Sequence, residues 1–112
     1  MKSEIGVDTV IKNWFLIDFT HNEEPMDKRV LWGIVVIDYK NRWIEGDYCC
    51  TSLVLHEYEG QVFHTKNSIY QAEGDGKRIV LPVEAVNAIR AGHSPDDWEV
   101  LVDLNRQFPD WK

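Results

Sequence analysis

The sequence predicts an α+β domain: an antiparallel meander sheet of about five or six strands followed by two short C-terminal helices. Short runs rich in β-branched and aromatic residues fill the chain as far as residue 81, and turn-forming residues separate these runs. After Pro82 the spacing of apolar residues changes to that of a helix. With 112 residues the chain is long enough for one hydrophobic core, so we expect a single globular domain over residues 1–112.

The first two predicted strands are long. Residues 9–20 alternate, and the side that we expect to face the core carries Phe15, Ile17 and Phe19. Residues 21–28 are polar and contain a proline, which predicts a loop. Residues 29–39 are apolar on both sides and rich in β-branched residues, so they predict a central strand that is covered on both faces.

The remaining predicted strands are short and joined by turns. A turn at residues 40–41 leads into residues 42–44, and Gly46 predicts a bend before a strand over residues 48–56. A hairpin turn at residues 57–60 would pair position 53 with position 64. Turns at residues 66–67 and 74–76 then separate the last three predicted strands, which span residues 61–65, 68–72 and 77–81.

Two helices are predicted after the sheet. The first begins at Pro82 and ends at Gly92, with Val83, Val86 and Ile89 on one face. Ser94 and Pro95 are typical of the N-cap and first position of a second helix, and two acidic residues follow where the helix dipole favours negative charge. The apolar face of this helix, which ends before Pro109, carries Trp98, Leu101, Val102 and Phe108.

The charge balance limits the class of partner. The chain has 19 acidic and 12 basic residues, which gives a formal net charge of −7. Nucleic acids and anionic membranes are recognised by basic surfaces, so we expect neither as a partner. No apolar run approaches the roughly 20 residues that cross a bilayer, and no signal sequence is present, which favours the cytoplasm. We therefore expect a protein partner or self-association.

The two cysteines, Cys49 and Cys50, are adjacent. Successive strand side chains point to opposite faces, so this pair is unsuited to a mutual disulfide or to a shared metal ion. A reactive thiol would need a nearby base, and the predicted register places His64 opposite Leu53 instead of a cysteine. We expect both cysteines to pack as small hydrophobic residues, and Cys49, Cys50 and His64 are the residues to test for reactivity.

No other motif indicates catalysis. The four histidines are scattered, and no spacing of cysteine or histidine predicts a metal site. The segment Gly74-Asp75-Gly76 lacks the strand, loop and helix of a dinucleotide-binding motif. No Gly-x-Ser-x-Gly elbow surrounds a serine. We therefore assign no catalytic residue, no metal ligand and no cofactor.

The five tryptophans are the clearest signal for an interaction surface. Trp32 and Trp98 are predicted to pack in the core. Trp43 stands beside Arg42 after a turn, and Trp111 stands near the C-terminus after a helix-ending proline. These two tryptophans either cap the open end of a small core or are exposed. If they are exposed, Arg42, Trp43 and Trp111 are candidate interface residues, because tryptophan and arginine dominate binding hot spots.

Several short motifs occur together along the chain: Leu31-Trp32-Gly33, Gly46-Asp47-Tyr48, Cys50-Thr51-Ser52, Thr65-x-Asn67-Ser68-x-Tyr70 and Gly74. This combination resembles a family of small uncharacterised bacterial proteins found as accessory genes, some in mobile DNA such as integron cassettes and prophages. The family has no assigned activity. The resemblance implies a polar network shared by two neighbouring strands and formed by Asp47, Thr51, Ser52, Thr65, Asn67, Ser68 and Tyr70. In it, we expect the side chains of Asn67 and Ser68 to shape a bend through hydrogen bonds to the backbone.

Two functions remain open. The first is a non-enzymatic accessory or protein-interaction domain with an acidic surface, which includes a symmetric dimer through an exposed edge strand. The alternative is a small ligand-binding domain or enzyme, whose pocket is lined by tryptophan and contains Cys49 or Cys50, His64 and an aspartate. We favour the first, and expect no enzymatic activity, because no set of catalytic residues converges.

Overall fold

The structure is a computed structural model that describes residues 6–98. It confirms the α+β class, because a seven-stranded sheet is followed by short helices. In that part of the chain, no helix is long and apolar enough to cross a membrane. The elements in chain order are β1 (Thr9–His21), β2 (Glu24–Asp38), β3 (Tyr48–Cys50), β4 (Val54–Tyr58), β5 (Val62–Thr65), β6 (Ile69–Ala72), β7 (Lys77–Pro82), a 3-10 helix (Val83–Ala85) and α1 (Val86–Arg90).

The strand order of the sheet is β3-β2-β1-β6-β5-β4, and β7 also pairs with β1. Both β6 and β7 run parallel to β1, so the predicted antiparallel pairing across the turn at residues 74–76 is wrong. The reason is a close contact at this loop. A Cβ atom on Gly76 would lie 2.2 Å from the Trp14 ring, and Trp14 Nε1 donates a hydrogen bond to the Gly74 carbonyl at 3.2 Å. The glycines therefore let the loop pass over Trp14 on its way along β1.

The sheet curls until its two ends approach each other. β3 and β4 lie at opposite ends of the strand order, yet only residues 51–53 connect them. A connection of this length spans about 10 Å. The predicted single strand over residues 48–56 is therefore broken at residues 51–53, where the chain passes from pairing with β2 to pairing with β5.

Both faces of the sheet are buried. The inner cluster, inside the curl, consists of Ile11, Trp14, Leu16, Leu31, Val35, Cys49, Phe63, Tyr70 and Ala72. The outer cluster, under the helices, consists of Phe15, Ile17, Phe19, Val30, Trp32, Leu81, Ala85 and Ile89. The predicted core side of β1 is confirmed, and its other side is buried as well. A bulge after Lys12, where Asn13 has a φ of 51°, shifts the alternation so that Ile11 and Trp14 share the inner cluster.

Three connections differ from the predictions. The predicted loop at residues 21–28 is a tight hairpin turn, because Asn22 and Glu23 both adopt positive φ and β2 begins directly afterwards. The hairpin after β4 turns through residues 59–61, which pairs His56 with His64 and contradicts the predicted register. The turn predicted at residues 40–41 extends into a longer loop that includes residues 42–44.

The helices follow the predictions within the described residues. Pro82 is the last extended residue before the 3-10 helix, and Gly92, with a φ of 111°, follows the end of α1. Ile89 is buried on the predicted face. A second helix begins at Pro95, as predicted, while the rest of its predicted apolar face, Leu101, Val102 and Phe108, lies outside the described residues.

Candidate functional site

A charged cluster at the end of β2 was not predicted from the sequence. The Asp38 side chain is fully buried, and Arg42 in the following loop is 31% exposed. Arg42 Nε and Nη2 donate to the two carboxylate oxygens of Asp38 at 3.3 and 3.2 Å. The backbone N–H groups of Lys40, Arg42 and Trp43 donate to the same carboxylate. Asp38 therefore fixes the start of the loop to β3, and the signal for it was an aspartate followed by turn residues and an arginine.

Arg42 also joins this loop to other strands. Its Nη1 donates to Ser68 Oγ and its Nη2 donates to Thr9 Oγ1, both at 2.8 Å. Thr9 Oγ1 in turn donates to Asp38 Oδ1 at 2.8 Å. The guanidinium lies 4.3 Å from the ring centre of Trp43. The predicted interface residue Arg42 therefore has its charged group engaged within the domain.

The electrostatics of this cluster favour a permanent ion pair. Burial on its own would raise the pKa of Asp38, but hydrogen bonds from Arg42, Thr9 and the loop backbone outweigh burial and hold that pKa well below its ordinary value. The same contact raises the pKa of Arg42, although burial opposes this. Neither group gains or loses a proton near neutral pH, so the pair is unsuited to acid-base catalysis.

The structure brings part of the predicted polar network together. Thr65 Oγ1 accepts hydrogen bonds from the backbone N–H groups of Asn67 and Ser68 at 3.3 and 3.1 Å. The hydroxyl of Thr65, and not the side chains of Asn67 and Ser68, therefore shapes the bend between β5 and β6. Asn67 Nδ2 donates to Ser52 Oγ at 3.4 Å, which links this bend to the break between β3 and β4.

The other three members of that set contact different groups. Thr51 Oγ1 accepts a hydrogen bond from the Leu31 backbone N–H at 3.0 Å. Asp47 Oδ2 accepts one from the Ile44 backbone N–H at 3.0 Å. Tyr70 is buried in the inner cluster, and burial raises the pKa of its hydroxyl. These three side chains support the local backbone and the core.

The two cysteines lie on opposite faces of β3, as predicted. Cys49 belongs to the inner cluster and Cys50 packs against the outer cluster. Burial raises the pKa of Cys49 to about 12 and that of Cys50 to about 11. His64 lies on β5, where it pairs with His56. Neither thiol has the low pKa that a nucleophile requires. Among residues 6–98, no group of three or more His, Cys, Asp or Glu side chains is placed to hold a metal ion.

β3 presents one edge of its backbone away from the sheet. The backbone of Asp47 accepts a hydrogen bond from β2 at 2.8 Å, and the backbone of Thr51 donates one to β2 at 2.9 Å. Because the hydrogen-bonding direction alternates along a strand, Tyr48 and Cys50 turn their N–H and C=O groups to the other side. Within the described part of the chain, no strand pairs with β3 on that outer edge.

A groove of about 590 Å³ lies along this outer edge. Residues 47–52 line it together with Trp43 and Arg90. The Tyr48 hydroxyl donates to the Arg90 carbonyl at 2.8 Å, which holds the end of α1 beside β3. Trp43 is half-buried and packs against the inner cluster, so it partly caps the core and also borders the groove. The third predicted interface residue, Trp111, lies outside the described residues.

Exposed apolar side chains are concentrated in one stretch of the chain, and one of them, Tyr48, lines the groove. Seven large hydrophobic side chains are exposed in the described residues, and six of them lie between positions 37 and 55: Ile37, Tyr39, Ile44, Tyr48, Leu53 and Leu55. The seventh is Val80 on β7. A concentration of this kind is typical of an interaction surface.

A second cavity, of about 410 Å³, lies between the sheet and the start of the second helix. Trp14, Phe15 and Trp32 form its aromatic wall, and Asp75 and Asp96 are among its polar residues. Trp32 Nε1 is buried and has no hydrogen-bond partner among the described residues. This cavity has the predicted tryptophan lining, but no cysteine or histidine lines it among residues 6–98.

Comparison with curated proteins and with solved structures finds no match. A protein-family model, described as a domain of unknown function (DUF6957), matches residues 7–88. The matched region contains the Asp38–Arg42 pair, the whole of β3 and most of the residues that line the groove. The chain therefore belongs to the DUF6957 family.

Proposed function

We propose that this protein is a non-enzymatic protein-interaction domain that binds an extended segment of a partner chain along the outer edge of β3. The observation that carries the proposal is the pair of outward-facing backbone sites on Tyr48 and Cys50 beside a groove of about 590 Å³. An added strand forms main-chain hydrogen bonds with these groups, and the side chains of the groove select its sequence.

β3 lacks the charged and proline residues found on the other edge strands. β7 begins with Lys77 and Arg78 and ends with Pro82. β4 carries Glu57, which forms an ion pair with Arg78. Charged and proline residues discourage the addition of a further strand. β3 has the sequence Tyr-Cys-Cys, so none of its own side chains opposes the pairing of a further strand.

The chemistry around the groove supports binding in place of catalysis. Its thiols have raised pKa values, and the nearby ion pair keeps its charges at neutral pH. The net charge of −7 favours a protein partner over nucleic acid or an anionic membrane. Together with the family resemblance, the proposal describes a cytoplasmic accessory protein carried in mobile DNA.

Selection of short random peptides on immobilised protein tests this proposal. Cys50→Pro removes the outward N–H and is compatible with an edge strand, whereas the control Cys50→Ala loses the same thiol but keeps the N–H. Selected peptides should bind the wild type and Cys50→Ala alike, and should bind Cys50→Pro about two- to tenfold more weakly, the effect of one lost hydrogen bond. Equal binding to the two variants, or failure to select any peptide, contradicts the proposal.

A second candidate function is the binding of a small molecule in the cavity beside Trp14 and Trp32. Its volume of about 410 Å³ falls within the range of small-molecule sites, and its wall is aromatic. A fragment library screened by tryptophan fluorescence should then contain compounds that quench the wild type saturably. The absence of any saturable quenching would contradict this second function.

A further inference from the structure

We infer that the strand bound at the outer edge of β3 is the β3 strand of a second copy of this chain, so that the protein forms a symmetric antiparallel dimer. The inference rests on the proposed function, because it names the occupant of the same edge. It requires that the edge be complementary to itself under a two-fold rotation.

The backbone of β3 meets this requirement. A two-fold axis at Cys49 places Tyr48 of one copy opposite Cys50 of the other in an antiparallel pair. Both residues direct their N–H and C=O groups away from β2, so each such pair exchanges two hydrogen bonds. The backbone groups of Cys49 face β2, where Cys49 pairs with Gly33, and none of them is left unpaired at the axis.

The charges that border the groove match under the same rotation. Asp47 lies at the N-terminal end of β3. Arg90 lines the same groove, and its backbone carbonyl accepts a hydrogen bond from the Tyr48 hydroxyl. A second copy paired along this edge therefore brings Asp47 of each copy to the same edge as Arg90 of the other, so that opposite charges border the pair.

The apolar side chains beside β3 match as well. Ile44 precedes the strand and is 74% exposed, while Leu55 follows it and is 65% exposed. Leu53, between β3 and β4, is also exposed. In an antiparallel pair, the residues that precede β3 in one copy, including Ile44, lie opposite the residues that follow β3 in the other copy, including Leu53 and Leu55. A second copy supplies all three kinds of complementarity through symmetry alone.

Sedimentation of the full chain over a range of concentrations tests the inference. The measurement belongs at about 0.15 M salt, where a Debye length of about 8 Å limits the repulsion between two copies that each carry −7. Wild type and Cys50→Ala should form a concentration-dependent dimer. Cys50→Pro should raise the dissociation constant at least about tenfold.

A second pair of variants tests the dimer without introducing a proline, which could unfold the domain. Leu55→Lys changes an exposed side chain on β4, which follows β3 along the chain, and should also weaken the dimer at least about tenfold. Val80→Lys is the matched control, since Val80 is 63% exposed on β7 and lies away from the groove, and it should leave the dimer unchanged.

The inference is overturned if the wild type stays monomeric at about 1 mM, a concentration at which even weak pairs associate. It is equally overturned if a dimer forms that neither Cys50→Pro nor Leu55→Lys weakens. If the protein is monomeric while selected peptides still require the N–H of residue 50, only the identity of the partner is wrong. If the peptides do not require that group either, the proposed function fails too.

Discussion

Replacing Asp38 with asparagine should lower the free energy of unfolding by about 3 kcal/mol. The two carboxylate oxygens are buried and accept six hydrogen bonds, from Thr9, Lys40, Arg42 and Trp43. Asparagine has nearly the same shape, but it has one acceptor oxygen in place of two and no charge. Removing one partner of a buried ion pair costs about 3 to 5 kcal/mol. We take the lower value because Arg42 is 31% exposed and regains water when the pair is lost.

Urea unfolding followed by circular dichroism measures this loss. The midpoint for Asp38→Asn should fall while the slope against urea stays constant, which marks a change in stability alone. Asp18→Asn is the matched control, because Asp18 pairs with Arg29 at the surface, where these side chains are 43% and 44% exposed. It should cost about 0 to 1 kcal/mol. Equal losses in the two variants would refute the reasoning that Asp38 anchors the loop to β3.

Three other predictions concern the Asp38 carboxylate, the two thiols and the contact of Gly76 with Trp14. Folding lowers the pKa of Asp38, so the stabilising effect of its carboxylate is complete above the unfolded pKa of about 4 and is lost as the pH falls below that value. Urea midpoints of the wild type should therefore drop more steeply below about pH 4 than those of Asp38→Asn, and parallel curves would contradict this. Burial raises the pKa values of Cys49 and Cys50 to about 12 and about 11. A thiol reagent at about pH 8 should therefore label the native protein far more slowly than the urea-unfolded protein, and equal labelling rates would argue against the burial of the thiols. Gly76→Ala should lower the free energy of unfolding by about 1 to 3 kcal/mol and shift tryptophan emission, because its Cβ would lie 2.2 Å from the Trp14 ring. The control is Gly6→Ala, whose Cβ meets no atom within 4 Å, and equal stability of the two variants would show that the contact with Trp14 is absent.

The strands and helix starts were predictable because local signals determine them. The alternation along β1 and the β-branched run of β2 gave two correct strands, and Ser94 with Pro95 gave a correct helix start. The conformations of the connections were not predictable from alternation, because they depend on backbone angles and on contacts between residues that are distant along the chain. Positive φ angles at Asn22 and Glu23 turned a predicted loop into a hairpin, and the contact of Gly76 with Trp14 directed β7 along β1.

The candidate site was harder to predict because it is formed by residues that are distant along the chain. The Asp38–Arg42 pair depends on Thr9 and Ser68, and nothing in their spacing indicates that they meet. The separation of the two cysteines across β3 was predictable, because it follows from strand alternation alone. The free edge of β3 was not, since it depends on the order of strands in the sheet.

Amide hydrogen exchange measured residue by residue shows whether the outer edge of β3 is free in the monomer and becomes paired on binding. In dilute protein, the amides of Tyr48 and Cys50 should exchange much faster than those of Cys49 and Thr51, which face β2. At high protein concentration, or with a selected peptide bound, protection of Tyr48 and Cys50 should rise at least about tenfold while Cys49 and Thr51 change little. Slow exchange of Tyr48 and Cys50 in the dilute monomer, or no gain in their protection on binding, would contradict the account.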